Sequence, residues 1–101
     1  MTDIKTLYAD FLEIPFPDNL SGQEINGIDL VLLDSDTAGL IDKFIHHDNQ
    51  LDINDFNILR QCCCELEIVE KELQGQPNEY FMSLLNIARQ TNKYLTNKMK
   101  K

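Results

Sequence analysis

Asp34-Ser35-Asp36-Thr37-Ala38-Gly39-Leu40-Ile41-Asp42-Lys43-Phe44-Ile45 admits two readings that lead to different proteins. As a twelve-residue calcium loop it has carboxylates at its first, third and ninth places, Gly39 at the sixth and Ile41 at the eighth. Such a loop also needs an oxygen at the fifth place and a bidentate Glu at the twelfth. Ala38 and Ile45 stand there instead, and Asp42-Lys43-Phe44-Ile45 runs on without a break. As a helix, with successive residues about 100° apart, Asp29 to His47 places Leu30, Leu33, Thr37, Leu40, Ile41 and Phe44 on one stripe, widened by Val31, Ala38 and Ile45. Asp34 and Asp36 then point about 200° apart and cannot converge on one ion. The spacing predicts a helix.

Asp34 sits uneasily in it. It falls inside the apolar arc, between Ile41 and Ile45, where an unpartnered carboxylate is costly. One reading starts the helix later, with Asp34 or Ser35 as its cap and Ile28 to Leu33 extended. A lone strand there would lack a partner, because no other segment reads as β. A second has Asp34 buried or half-buried, accepting hydrogen bonds from backbone N–H groups of the preceding connector, and a third makes it a functional carboxylate. Gly39 inside a helix costs about 1 kcal/mol relative to Ala. Together with Ser35 and Ala38 it would let another helix approach closely.

Working outward, three more apolar periodicities appear. From Thr2 to Glu13, residues Ile4, Leu7, Tyr8, Phe11 and Leu12 share one side, with Thr2 or Asp3 as the cap. From Asn54 to Leu73, Phe56, Ile58, Leu59, Cys62, Cys63, Leu66, Val69 and Leu73 share an arc opposite Arg60, Glu67, Lys71 and Glu72, and the helix ends near Gly75. Pro77 opens the last helix, with Glu79 in its first turn and Tyr80, Phe81, Leu84, Ile87, Ala88, Thr91 and Leu95 on one side. The short Gln74-Gly75-Gln76-Pro77 connection makes these two helices an antiparallel hairpin.

Residues 14–27 break the pattern. Pro15 and Pro17 disfavour helix before them, and Ser21-Gly22 and Asn26-Gly27 are turn signals. Ile14, Phe16, Leu20 and Ile25 suit a strap crossing the helices. The expectation is an all-α, small four-helix bundle with a long Pro- and Gly-containing connector between helices 1 and 2. Residues 1–95 form a single helical domain and residues 96–101 a basic, frayed tail. Leu7, Phe11, Leu33, Ile41, Phe44, Leu59, Leu66, Leu84 and Ala88 are expected in the core.

Composition bounds what such a bundle can do. The 101 residues are 43 % hydrophobic, enough for one modest core. Lys5, Lys43, Arg60, Lys71 and Arg89 are the only cations in residues 1–92, which hold all 17 acids, so that body carries −12 of a formal net −8. The balance, +4, comes from Lys93, Lys98, Lys100 and Lys101 at the end of the chain. An acidic body repels phosphate backbones, which argues against nucleic acid as a partner. No run of 18 apolar residues crosses a membrane. The N-terminus carries charges where a signal peptide needs an apolar stretch, which suggests a cytoplasmic protein.

Chemistry is sparse. His46 and His47 are adjacent, not the i, i+4 pair that grips zinc, and suit a helix end. Cys62-Cys63-Cys64 cannot pair normally; the first two fall in the core arc, and Cys64 faces outward with no histidine nearby in sequence. There is no Gly-rich phosphate loop, nucleophile elbow or paired-cysteine metal spacing. The sequence therefore reads as a non-enzyme without cofactor, catalytic residue or metal ligand.

Three function classes follow. The first is a protein-binding module, an acidic helical inhibitor, immunity-type protein or adaptor, docking a basic or mixed-charge partner through Asp29, Asp36, Glu65, Glu67 and Glu72. The second is a homo-oligomeric structural subunit, a homodimer for instance, joined through Leu32, Ile68, Met82 and Leu85 outside the main arcs. The third is a weak ion- or ligand-binding domain around the degenerate DSDTAG segment and Asp34.

Overall fold

The computed structural model describes residues 3–99. It holds four helices: α1 Ile4–Leu12, α2 Leu30–His46, α3 Ile53–Lys71 and α4 Gln76–Met99. This is the all-α bundle the periodicities predict, with the long connector between the first two helices. Asp34 to Ile45 is helical throughout, so the helix reading of that stretch holds. At about 1.5 Å per residue α4 is about 36 Å long, and it sets the long axis of a molecule measuring 42 × 26 × 19 Å.

Three helices begin the same way. Asp3, Asp29 and Asp52 take extended backbone, and each side chain accepts a hydrogen bond from the amide three residues on: Thr6 N at 2.7 Å, Leu32 N at 3.0 Å and Asp55 N at 2.8 Å. An Asp at this position satisfies an otherwise orphan donor and meets the positive end of the helix dipole, together worth about 1 kcal/mol. The bond from the Thr6 amide holds the Asp3 carboxyl below the ordinary carboxylate range. The second helix thus starts at Asp29 and not at Asp34 or Ser35. It stops where Asp48 and Asn49 turn left-handed, with φ of 55° and 58°, and the Asn49 amide closes on the Phe44 carbonyl at 2.9 Å. Asp and Asn tolerate that conformation best among non-glycine residues.

The short turns make α2 antiparallel to α3 and α3 antiparallel to α4, while α1 runs back along the groove between α2 and α4. Tyr8 reaches the Ala38 carbonyl there, at 3.2 Å, and Phe11 meets Tyr80 in a tilted contact with ring centroids 4.8 Å apart. Most of the core is one cluster through all four helices. Phe44, Phe56 and Leu95 form a smaller one at the far end, and Ile4, Ile45 and Leu51 are shared cover. Thr37 and Thr91 are buried among these apolar groups, and each hydroxyl donates to the carbonyl one turn back, Leu33 O at 2.7 Å and Ile87 O at 2.9 Å.

Of the expected core residues only Leu7 differs, being partly buried on the short, peripheral α1. Leu85, expected outside, is buried at 1 % exposure. It follows from the place of α4, which has α1, α2 and α3 against it and Phe16 of the connector on Phe81, so its buried arc is wider than that of a one-sided helix.

The connector is a strap, as expected. Phe16 meets Tyr80 and Phe81 edge-on at 5.5 and 6.1 Å, and Leu20 is buried in a single 3-10 turn, Asp18–Leu20. It also contains strands the periodicity does not reveal. β1 Glu24–Ile25 pairs antiparallel with β2 Ile28–Asp29 across Asn26-Gly27, whose φ values of 52° and 79° are those of a type I′ turn. Two residues per strand are too few to show alternation. The expectation that no segment reads as β is therefore corrected at residues 24–29.

At the other end α4 includes residues 96–99, so this part of the expected tail is a last helical turn. Thr2, the alternative cap, and Lys100 and Lys101 lie outside the described residues.

Candidate functional site

Four of the five acids singled out in the sequence fall on the outer face of the α2–α3 hairpin. The charges of Asp36 and Glu65 both reach Cys62, whose thiol pKa is raised by burial, lowered in part by its bond to Thr37, and raised further by these two charges. The Lys43–Asp55 and Thr37–Cys62 contacts set the antiparallel register, which places Leu32 on α2 within about a turn of Ile68 on α3, and Asp29 within about a turn of Glu72. Both helices thus present acid, apolar, acid at i, i+3 and i+7: Asp29, Leu32, Asp36 on one and Glu65, Ile68, Glu72 on the other. Leu32 is 59 % and Ile68 43 % exposed. Gly39, on the same side as Leu32, is exposed, and a Cβ added there would meet no atom within 4 Å. No neighbour within the chain requires a glycine at that point.

Glu67 does not belong to this face. It turns toward α4 and pairs with Arg89 at 2.8 Å. Asp29 is also the α2 cap, and Glu72 closes α3 with its amide on the Val69 carbonyl. The four-residue apolar patch expected from Leu32, Ile68, Met82 and Leu85 does not assemble, because Leu85 is interior and Met82 stands on α4. Sequence reasoning separated Leu32 and Ile68 from the acids. The repeated i, i+3, i+7 pattern in two helices joined by a short turn is the signal that unites them.

Asp34 is half-buried in α2, as one reading held, with a different partner. Its carboxylate accepts from the Tyr80 hydroxyl of α4 at 2.8 Å, not from connector amides. Burial raises the Asp34 pKa and the Tyr80 bond offsets part of that rise. The Tyr80 hydroxyl is pushed well above its ordinary range by burial and by Asp34, and Tyr8 rises through burial and the charges of Asp42 and Asp34. Because its folded-state pKa is raised, Asp34 adds stability below the unfolded carboxylate range and loses it as pH rises through the folded value. At pH 7 the charged carboxylate is a cost. Asp34→Asn keeps an oxygen for Tyr80, so its Tm at pH 7 is expected to exceed the parent's, with the gain vanishing below about pH 4. Thermal melts of both proteins across that range check the sign, and a gain that grows in acid contradicts it.

The thiols separate as expected, Cys62 and Cys63 buried and Cys64 exposed. Burial pushes Cys63 up to about 11. Titration with an aromatic disulfide should find one reactive thiol in the native protein and all three in denaturant. Two or more fast thiols in the native state would contradict the register of α3. His46 bonds the Asp42 carbonyl through Nδ1 at 2.9 Å and lies 3.5 Å from its carboxylate, at the negative end of α2. Among the described residues no three His, Cys, Asp or Glu side chains group to hold a metal ion. No helix among them is long and apolar enough to cross a membrane. A groove of about 790 Å³ lies between the start of α1 and the ends of α2 and α4, lined by Ile4, Phe44 and Tyr94 with Lys5 and Lys93.

The fold and this surface define a small all-α four-helix domain with an acid-flanked apolar face on its central hairpin. Compared with known proteins, the chain matches no family model, no curated protein and no solved structure.

Proposed function

We propose that the chain is a non-enzymatic protein-binding module, an acidic inhibitor, immunity-type protein or adaptor that docks a basic or mixed-charge protein partner. One observation carries this reading. Of the 17 acids, only Asp55 and Glu67 lie within ion-pair distance of a Lys or Arg among the described residues, at Lys43 and Arg89. Asp34 is held half-buried by Tyr80, while Asp3, Asp29 and Asp52 cap helices and most of the other carboxylates face solvent. A surface field of one sign steers an oppositely charged partner and speeds its association, and salt weakens both effects.

The homo-oligomeric subunit is the second reading, supported by the exposure of Leu32 and Ile68 on one face. Two copies joined there would bring two sets of four carboxylates together, and like charges across an interface cost several kcal/mol. That cost ranks it below the first. Affinity capture from the native lysate at low and high salt, with mass spectrometry of what is retained, separates them. A stoichiometric basic protein that salt releases supports docking, whereas recovery of the chain alone at a mass above monomer supports self-assembly.

A further inference from the structure

We infer that the outer face of the α2–α3 hairpin is the docking surface and that its occupant is a basic amphipathic helix of a partner protein. This rests on the acidic-docking reading above and goes further by naming the face and the element that fills it. Leu32 and Ile68 give the face an apolar centre. Asp29 and Glu72 close it on one side, and Asp36 and Glu65 on the other, with no Lys or Arg within ion-pair distance of any of the four among the described residues. Two antiparallel helices leave a shallow furrow along their seam, which suits the apolar ridge of a third helix. One turn beyond Asp36, Gly39 is exposed and a Cβ added there would meet no atom within 4 Å.

The spacing dictates what the occupant looks like. Asp29 and Asp36 are seven residues apart on α2, about 10.5 Å or two turns. A helix lying along the seam therefore meets both acid pairs with cations seven residues apart, and covers Leu32 and Ile68 with apolar residues between them. An acidic or uncharged amphipathic helix would leave four carboxylates facing like charge or apolar surface.

The probe is a synthetic peptide of about 18 residues, five helical turns, with a Leu ridge and Lys pairs seven residues apart. Its control replaces every Lys by Glu. Each is titrated into the isotope-labelled protein and followed by amide chemical-shift mapping at low and physiological salt. Saturable shifts confined to residues 29–43 and 58–72, absent with the Glu peptide, are the expected result. Leu32→Lys with Ile68→Lys should weaken binding roughly tenfold or more without lowering the melting temperature, since both side chains are exposed. Gly39→Leu should do the same by placing bulk one turn beyond Asp36 without altering charge. Saturable shifts centred on the other acidic surfaces would overturn this face while leaving acidic docking intact, and shifts centred on the Ile4, Phe44 and Tyr94 groove, which carries Lys5 and Lys93, would overturn both. No saturable binding of the Lys peptide anywhere would overturn both, and equal binding of the Glu peptide would remove the charge argument.

Discussion

Phe44→Ala is expected to lower the unfolding free energy by about 3–5 kcal/mol. The ring is 1 % exposed, meets Tyr94 edge-on at 5.5 Å and anchors the smaller core cluster with Phe56 and Leu95. Truncation removes that aromatic contact and the burial of most of the side chain, and leaves a hole between α2, α3 and α4. The adjoining groove lets neighbours relax into the space, which places the loss at the lower end of the range. A domain of this size has about 5–15 kcal/mol in total, and each kcal/mol moves Tm by about 4–8 °C. Urea unfolding followed by helical circular dichroism should show an unchanged slope and a much lower midpoint. A midpoint near the parent's would mean that the ring is not enclosed as described.

Leu66→Ala acts at the opposite kind of site. Leu66 is 0 % exposed, belongs to the main cluster on α3, which packs on α2 and α4, and lines none of the grooves described, so its surroundings have less room to collapse. The expected cost is about 2–5 kcal/mol, toward the upper end, because the residual cavity adds to the lost transfer free energy. The comparison is more informative than either value alone. Leucine is the smaller side chain, so a Leu66→Ala loss that equals or exceeds the Phe44→Ala loss would show that site rigidity outweighs the atoms removed.

The helices were legible because each carries enough turns for a 3.6-residue period to declare itself. Two errors lie within the period itself, since Leu12 and Ile58 on the apolar arcs are 60 % and 49 % exposed, and the others fall where it has nothing to say. Leu85 lies just beyond the arc defined by Phe81 and Ala88, and its burial depends on how many neighbours surround α4, a tertiary fact. The hairpin at residues 24–29 is too short for a period of two, although Asn26-Gly27 between Ile25 and Ile28 is a strong local turn signal. Asp34 shows a mixed case. Its awkward position was visible, and so was Tyr80 in the apolar stripe of the last helix with a hydroxyl to satisfy. Pairing them required knowing that the second and fourth helices run parallel and adjacent. Likewise, every acid of the candidate face was visible, but sorting Glu67 from Glu65 and Glu72 needed the position of Arg89.

The groove between α2 and α4 that receives α1 has a consequence for the order of assembly. The α2–α3 and α3–α4 hairpins close over short turns, so their contacts form at little loop-closure cost, whereas α1 must find Tyr80 near the far end of the chain. The three long helices are thus expected to come together first, leaving an open furrow that α1 and its strap then occupy. In native-state hydrogen exchange the amides of α1 should open at a lower free energy than those of α4. The first helix is a latch on a core that already exists, and its release exposes Phe11, Phe16 and Tyr80 before the rest of the molecule unfolds.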